Sequence, residues 1–338
     1  MDYDQLLIEA RKLIGPNCKA CPVCNGIACG NTMPGPGSKA PGNGAHDNWK
    51  AWQQIKLSMD CIAPAGEVDT SLEFLGRRLN FPLITGPIGS IKWQYNPESD
   101  VRDFNRDVAA ASLKLGIAGA FGDGITPDVF TDSLRHSAEH DGVSMPILNP
   151  YSDDEIKEKI ALANEAGVFA LGVVIDSAGL PHLRQKGISA GTKTVEQLRA
   201  LKEYSRVPFV VKGVMSVKTA LKAVEAGADA IIVSNHGGRV LPFSPSTAEV
   251  LPEIADVVKG QTKIIVDGGI RSGFDIFKAL ALGADAVMIC RPILVGWYGA
   301  GQKGIELMVN RLKAELDDAM YMCSARKLSD INRDMIRL

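Results

Sequence analysis

The residue types best suited to chemistry stand together in one short run, Ser234-Asn235-His236-Gly237-Gly238-Arg239. Histidine titrates near neutral pH and is the natural general base, while arginine can grip a carboxylate with two parallel hydrogen bonds. The glycine pair between them lets the backbone pass close to a bound molecule. Either residue alone in a turn would be ordinary solvated surface. Together, at the end of an apolar run, they describe removal of a proton beside a held carboxylate. Asp176 closes another apolar run, where it either caps the following loop or holds the second imidazole nitrogen and stabilises the imidazolium. Lys212 ends a third, in VVKG, and an ammonium is costly to bury unless it faces an anion or an electron-rich ring. Two more loops, DGGIRSG (267–273) and CRP (290–292), join glycine amides to Arg271 and Arg291, as a phosphate site requires.

A second concentration of reactive groups lies near the amino terminus. Cys18, Cys21, Cys24 and Cys29 follow C-x2-C-x2-C-x4-C. The first three match ferredoxin ligand spacing, and the fourth could complete four-thiolate coordination of an iron–sulfur cluster or zinc. The stretch is also rich in Gly and Pro, so free thiols or one reversible disulfide in a loop are the other reading. Cys61, Cys290 and Cys323 read as isolated thiols.

Side chains so far apart in sequence need a scaffold that gathers strand ends. From about residue 82 eight apolar runs recur: PLITGP (82–87), IAGAF (117–121), MPILN (145–149), ALGVVID (170–176), VPFVVKG (207–213), AIIVSN (230–235), KIIVDGG (263–269) and DAVMICR (285–291). Each is continuous rather than alternating, as in strands buried on both faces. Between them lie amphipathic stretches such as DDEIKEKIALANEAG and SVKTALKAVEAG, several ending in glycine where a helix stops. The repeated A-G-A-D and L-G-A-D (226–229 and 282–285) close two of these. The alternation predicts an α/β chain folded as a (β/α)8 TIM barrel with an N-terminal Cys- and Gly/Pro-rich flank. A doubly wound sheet is the alternative, but no early GxGxxG follows a first strand. Barrel enzymes carry their sites at the carboxyl ends of the strands, where the residues above fall. The expected organisation is a flank or cap over 1–81 and a barrel over 82–338. Helices are expected at Gln5–Leu13 and Trp49–Leu57, then a hairpin into the barrel. A helix over Gly304–Met322 should close it ahead of a polar tail.

The chain has 338 residues, 46% of them hydrophobic, and a net charge of −2 from 37 Lys+Arg against 39 Asp+Glu. That length can bury a large core without disulfide staples. The charge offers no attraction to nucleic acid or an anionic membrane. No run reaches the ~18 apolar residues of a membrane span, and the charged start MDYDQLLIEARKL is not that of a signal peptide. A cytoplasmic small-molecule enzyme is expected, with no nucleic-acid partner and no membrane span.

Taken together, VVKGV, IIVSNHGGR, VDGGIRSG, FKALALGADAV and the Arg291-Pro292 pair resemble the FMN-dependent 2-hydroxy-acid oxidase/dehydrogenase family, which includes glycolate oxidase and lactate oxidase. The resemblance spans roughly residues 70–335. It implies FMN as cofactor and oxidation of a small-molecule 2-hydroxy acid to a 2-oxo acid by hydride transfer to flavin N5. It implies His236 as the base, Asp176 as its partner, Arg239 as the carboxylate arginine and Lys212 beside flavin N1 and O2. Ser234 would touch the flavin, while Asp267, Gly268, Gly269, Arg271 and Arg291 would hold the ribityl chain and phosphate. Pro87, Ile88 and Gly89 would face the pyrimidine and N5 edge. Several positions depart from the pattern. Cys290 stands where the family has glycine before its last phosphate arginine, and Asn149 and Ile147 replace a substrate tyrosine and a flavin glutamine. The lid DSAGLPHLRQKGISAG (176–191) is short, with Arg184 as the candidate second substrate arginine. These departures imply a larger substrate or a different electron acceptor, which the sequence leaves unnamed. Family members are often homo-oligomers. Two rivals stand beside this reading. One is an FMN-dependent isomerase of the type 2 isopentenyl diphosphate isomerase kind, which has no need of a histidine base with a carboxylate arginine here. The other is a non-catalytic flavin- or metal-binding redox-sensing module built around the cysteines.

Overall fold

All eight apolar runs are strands of one parallel sheet. The computed structural model describes residues 1–181, 183 and 190–338. In chain order the strands are β1 (Lys56–Leu57), β2 (Leu72–Phe74), β3 (Arg77–Leu79), β4 (Leu83–Thr85), β5 (Gly119–Gly122), β6 (Ser144–Leu148), β7 (Leu171–Val174), β8 (Phe209–Val214), β9 (Ala230–Val233), β10 (Lys263–Val266), β11 (Ala286–Ile289) and β12 (Ile336–Arg337). The large sheet runs β4-β11-β10-β9-β8-β7-β6-β5, and the Ile84–Ala118 bridge between its two edges closes the (β/α)8 barrel.

Why the runs are continuously apolar is visible in the two cores they serve. On β9, Ala230 and Ile232 point into the barrel beside Ile265, Ala286 and Met288, while Ile231 and Val233 face the helices outside. Both faces are dry, and each buried Val, Leu or Ile contributes about 1.5–3 kcal/mol. The hairpin β2–β3 supplies Phe74 and Leu79 to the inner core, so it plugs the barrel end away from the site.

Local signals set the helix ends. Ser152–Glu155, Thr194–Gln197 and Ser246–Glu249 form reciprocal capping boxes that satisfy first-turn amides. The repeated G-A-D turns carry a second device. Asp229 Oδ2 accepts the Phe209 N–H at 2.6 Å, and Asp285 Oδ2 accepts that of Ile264 at 2.8 Å. Each aspartate thus ties the turn before its own strand to the start of the neighbouring one.

The flank differs in detail from expectation. Its first helix runs Tyr3–Leu13, two residues longer at the start, because Asp2 caps it. The second runs Gly44–Gln54 rather than Trp49–Leu57. Asn43 caps it earlier, and Lys56–Leu57 instead pair with β12, the end of the polar tail. The closing helix begins at Arg291, not Gly304, and breaks at Ala300 and Gly301. Its first segment was hidden in sequence by the glycines at 296, 299, 301 and 304. Among the described residues no helix is long and apolar enough to cross a membrane.

Candidate active site

The carboxyl ends of the barrel strands surround a cavity of about 490 Å³. His236, Arg239, Lys212, Asn149, Asp267, Gly268, Gly269, Arg271, Cys290 and Arg291 line it, together with Pro87, Ile88 and Gly89. The fold therefore gathers residues spread over two hundred positions. Asp176 and Ser234 stand behind this wall, each bonded to a residue in it. Arg184, expected as a second substrate arginine, lies outside the described residues.

The chemistry centres on two carboxylate–cation pairs. His236 Nδ1 lies 3.1 Å from Asp176 Oδ1, which leaves Nε2 for a substrate proton. Lys212 is buried at the end of β8, with Nζ 2.6 Å from Ser234 Oγ and 2.9 Å from Asp267 Oδ2. Burial by itself would lower the Lys212 pKa, but the charges of Asp267 and Asp176 outweigh it and hold the pKa above its ordinary value. The cation is kept inside the wall. Asp176 Oδ2 and Asp267 Oδ1 are buried with no hydrogen-bond partner among the described residues. Buried acceptors are ordinarily satisfied, and Asp267 lines the cavity, so its Oδ1 marks a place for a donor brought by a ligand.

Backbone geometry makes the turn after β9 possible. His236, Gly237 and Gly238 have φ of +56°, +63° and +77°, the left-handed region that costs a side-chain-bearing residue about 1–2 kcal/mol. A Cβ on Gly237 would lie 2.6 Å from Arg291 Nη2, and one on Gly238 would lie 2.8 Å from Gly44 Cα. The glycines are there because an arginine and the flank press against them. Arg239 reaches back into that flank, donating from Nη1 to the carbonyls of Gly35 and Gly37. Burial first, and the nearby Arg291 charge second, push its pKa down to about 10, a cation crowded by another cation.

The residues read as a phosphate site have a mixed fate. Arg291 opens the closing helix, whose first turn carries no side-chain cap, and its Nη2 donates to Gly237 O. Uncapped helix amides beside an arginine suit a phosphate. Arg271 is partly committed elsewhere, with Nε donating to Cys24 O at 2.7 Å and Nη1 to Ile270 O at 2.8 Å. Cys290 packs against Gly86, and burial pushes its thiol up to about 11, so it is an inert filler of the wall. Asn149 is held by Asp123, and its Oδ1 accepts from Ser177 Oγ at 2.7 Å.

Sequence reasoning missed what the flank contributes. Asn48, fully buried, exchanges two hydrogen bonds with Asn235 and accepts the Thr247 N–H. Trp52 Nε1 donates to Gly268 O at 2.8 Å. Met33, Pro34 and Pro36 line the cavity, as do Trp93, Gln94 and Tyr95 from the loop after β4. Those segments have neither helical nor strand period, so only their aromatic content could have drawn attention to them. The four flank cysteines form no disulfide, and among the described residues no three His, Cys, Asp or Glu side chains are placed to hold a metal ion. That geometry by itself lends no support to a bound zinc or to a cluster.

Comparison with known proteins bears on the family of the chain. The family model for FMN-dependent dehydrogenase matches residues 37–186 and 182–338. A peroxisomal (S)-2-hydroxy-acid oxidase of Oryza sativa is 43% identical over 321 residues, covering 86% of either chain. A 2-hydroxyacid oxidase of Dictyostelium discoideum is 33% identical over 327 residues, 86% of this chain and 81% of that one. Among solved structures, a mandelate oxidase superposes with a TM-score of 0.81 at 26% identity, over 99% of this chain and 97% of its own. These relatives are oxidases, which favours neither the isomerase nor the non-catalytic module. This chain is an enzyme and belongs to the FMN-dependent dehydrogenase family.

Proposed function

We propose that the enzyme oxidises a 2-hydroxy acid to the 2-oxo acid at the cavity above the barrel. The observation that carries this reading is the convergence of the His236–Asp176 pair, Arg239 and the Lys212–Asp267 pair on one space. FMN bound there supplies the acceptor for the substrate's hydride. His236 Nε2 takes the hydroxyl proton, and Asp176 holds the ring by Nδ1 and stabilises the imidazolium that forms. Arg239 binds the substrate carboxylate. Lys212, kept cationic by Asp267, would face the flavin ring as a fixed positive charge. Asp267 Oδ1, buried and without a partner, would accept from a ribityl hydroxyl, and Arg291 with the uncapped helix start would hold the phosphate. Ser234 positions Lys212, and Pro87, Ile88 and Gly89, which line the cavity, would give the ring its backbone edge.

The rest of the wall bears on specificity. Tyr95 is buried there within electrostatic reach of Arg239, and we assign its hydroxyl to the substrate side. Trp93, Ile125, Leu180 and Leu183 add apolar surface, which favours a hydroxy acid with a bulky apolar side chain over a very small one. In the same reading residues 1–81 are a cap on the barrel of 82–338 and supply part of its active-site wall. The protein works in the cytoplasm, where its thiols stay reduced, and assembles as a homo-oligomer.

The test is anaerobic addition of 2-hydroxy acids to the yellow holoprotein. His236→Ala should keep FMN yet bleach about 10²–10⁴-fold more slowly, the usual contribution of a general base. Bleaching at the wild-type rate in that variant overturns the assignment.

A further inference from the structure

We propose that Cys18, Cys21, Cys24 and Cys29 bind a 4Fe–4S cluster beside the arginines that flank the flavin cavity. The barrel chemistry leaves these thiols without a use, yet the fold brings them together. Cys18, Cys21 and Cys29 all lie within electrostatic reach of Cys24. Next to Cys21 and Cys24 is a second cavity of about 290 Å³, walled also by Tyr3, Trp49, Arg271 and Arg311.

The loop that carries the thiols has no helix or strand, but it is tied down at one carbonyl after another. Arg11 donates to Lys19 O and Ala20 O at 3.3 and 3.1 Å. Arg271 donates to Cys24 O at 2.7 Å, and Asn43 to Gly26 O at 3.1 Å. His46 Nδ1 sits 3.0 Å from Asn25 O. Four thiolates carry negative charge, and cations close by are what such a cluster requires of its surroundings. Arg11 and Lys19 lie close to Cys21, and Arg291 lies close to Cys29.

Zinc fits this arrangement poorly. A single ion needs its thiolates drawn in to Zn–S bonds of ~2.3 Å. No three donors converge that way among the described residues. A cluster instead takes thiolates arranged around a volume, and C-x2-C-x2-C is an iron–sulfur spacing. The position also suggests a use. Each hydroxy acid oxidised yields two electrons and two protons, and a one-electron oxidant removes electrons singly. A cluster between the flavin cavity and the surface can pass them one at a time while the protons go to solvent. Val23 and Ile27, more than half exposed, show that the outer side of the loop reaches solvent.

Full-length protein purified anaerobically and reconstituted with ferrous iron and sulfide should hold about four iron and about four acid-labile sulfide per chain, in addition to FMN. Dithionite should then give the paramagnetic signal of a reduced cluster. Cys24→Ser should lose iron and sulfide while keeping the FMN absorbance, whereas Cys61→Ser should keep both. Metal content of the unmutated protein decides the matter even if Cys24→Ser does not fold. Stoichiometric zinc, or FMN without iron after reconstitution, overturns the proposal. Because flavin binding is read separately, loss of the cluster reading leaves the hydride chemistry standing, and the reverse also holds.

Discussion

The loop at 234–239 and the flank segment at 17–52 face each other across one cavity, and they are held there by different kinds of physics. The loop follows a strand buried on both faces, so its position is set by the barrel closing. The flank has no comparable core of its own between its two helices. It is fixed by polar contacts to distant loops, such as Asn48 to Asn235 at a separation of 187 residues and Arg239 to Gly35 at 204. The barrel therefore sets where charge and base stand, and the flank sets how tightly the cavity is walled. If that division holds, damage on the barrel side should strike stability and chemistry together, and damage on the flank side should loosen the cofactor first.

Lys212→Met is the most severe case on the barrel side. It leaves Asp267 and Asp176 buried without their shared cation, and removing one member of a buried pair costs about 3–5 kcal/mol. The pH dependence follows from the raised pKa. The stabilisation from Lys212 is fully present below the unfolded lysine value, near ~10.4, and is lost as pH rises through the higher folded value. Urea midpoints of wild type and Lys212→Met should therefore differ widely at pH 7 and draw together in strong alkali. A constant gap across that range would show that the lost stability is packing rather than charge.

Gly269→Ala attacks the seam between the two regions. Gly269 has φ +84°, and a Cβ there would lie 2.5 Å from the carbonyl carbon of Asn48. Left-handed strain and overpacking together should cost about 3 kcal/mol. The displaced helix Gly44–Gln54 should weaken FMN binding as well, read as a higher Kd by flavin fluorescence. Unchanged affinity with unchanged unfolding would mean that the flank does not wall the site.

The same division explains what could be read from the sequence. Eight strands and their end residues were legible because β4–β11 repeat one pattern, and His236, Lys212 and Asp267 sit close to the carboxyl ends of three of them. The conserved spacing of the pattern within this one chain also exposed the G-A-D turns. Asn48, Trp52 and Tyr95 were not legible. Asn48 and Trp52 share the buried face of the helix Gly44–Gln54, but that face spends its polar atoms on residues far along the chain and so does not read as an apolar stripe, while Tyr95 lies in an irregular loop. The start of the closing helix at Arg291 was obscured by glycines that its packing requires. A Cβ on Gly299 would meet Leu6 O at 2.6 Å, and one on Gly304 would meet Gly296 O. Helix propensity argues against glycine there, and tertiary contact overrides it.

Asn48→Ala should give the smallest effect and the cleanest separation of the two regions. The side chain touches no position assigned to the hydride or the proton, yet it satisfies Asn235 and the Thr247 N–H together. Truncation leaves those buried groups short of partners, at about 1–3 kcal/mol. His236 and Asp176 keep their mutual contact, which does not pass through Asn48. Saturated with FMN, the variant should therefore bleach with hydroxy acid at close to the wild-type rate while binding FMN more weakly and melting earlier. A slow bleaching step with normal FMN affinity would reverse the division, making the flank a positioner of the base through Asn235 rather than a wall for the cofactor.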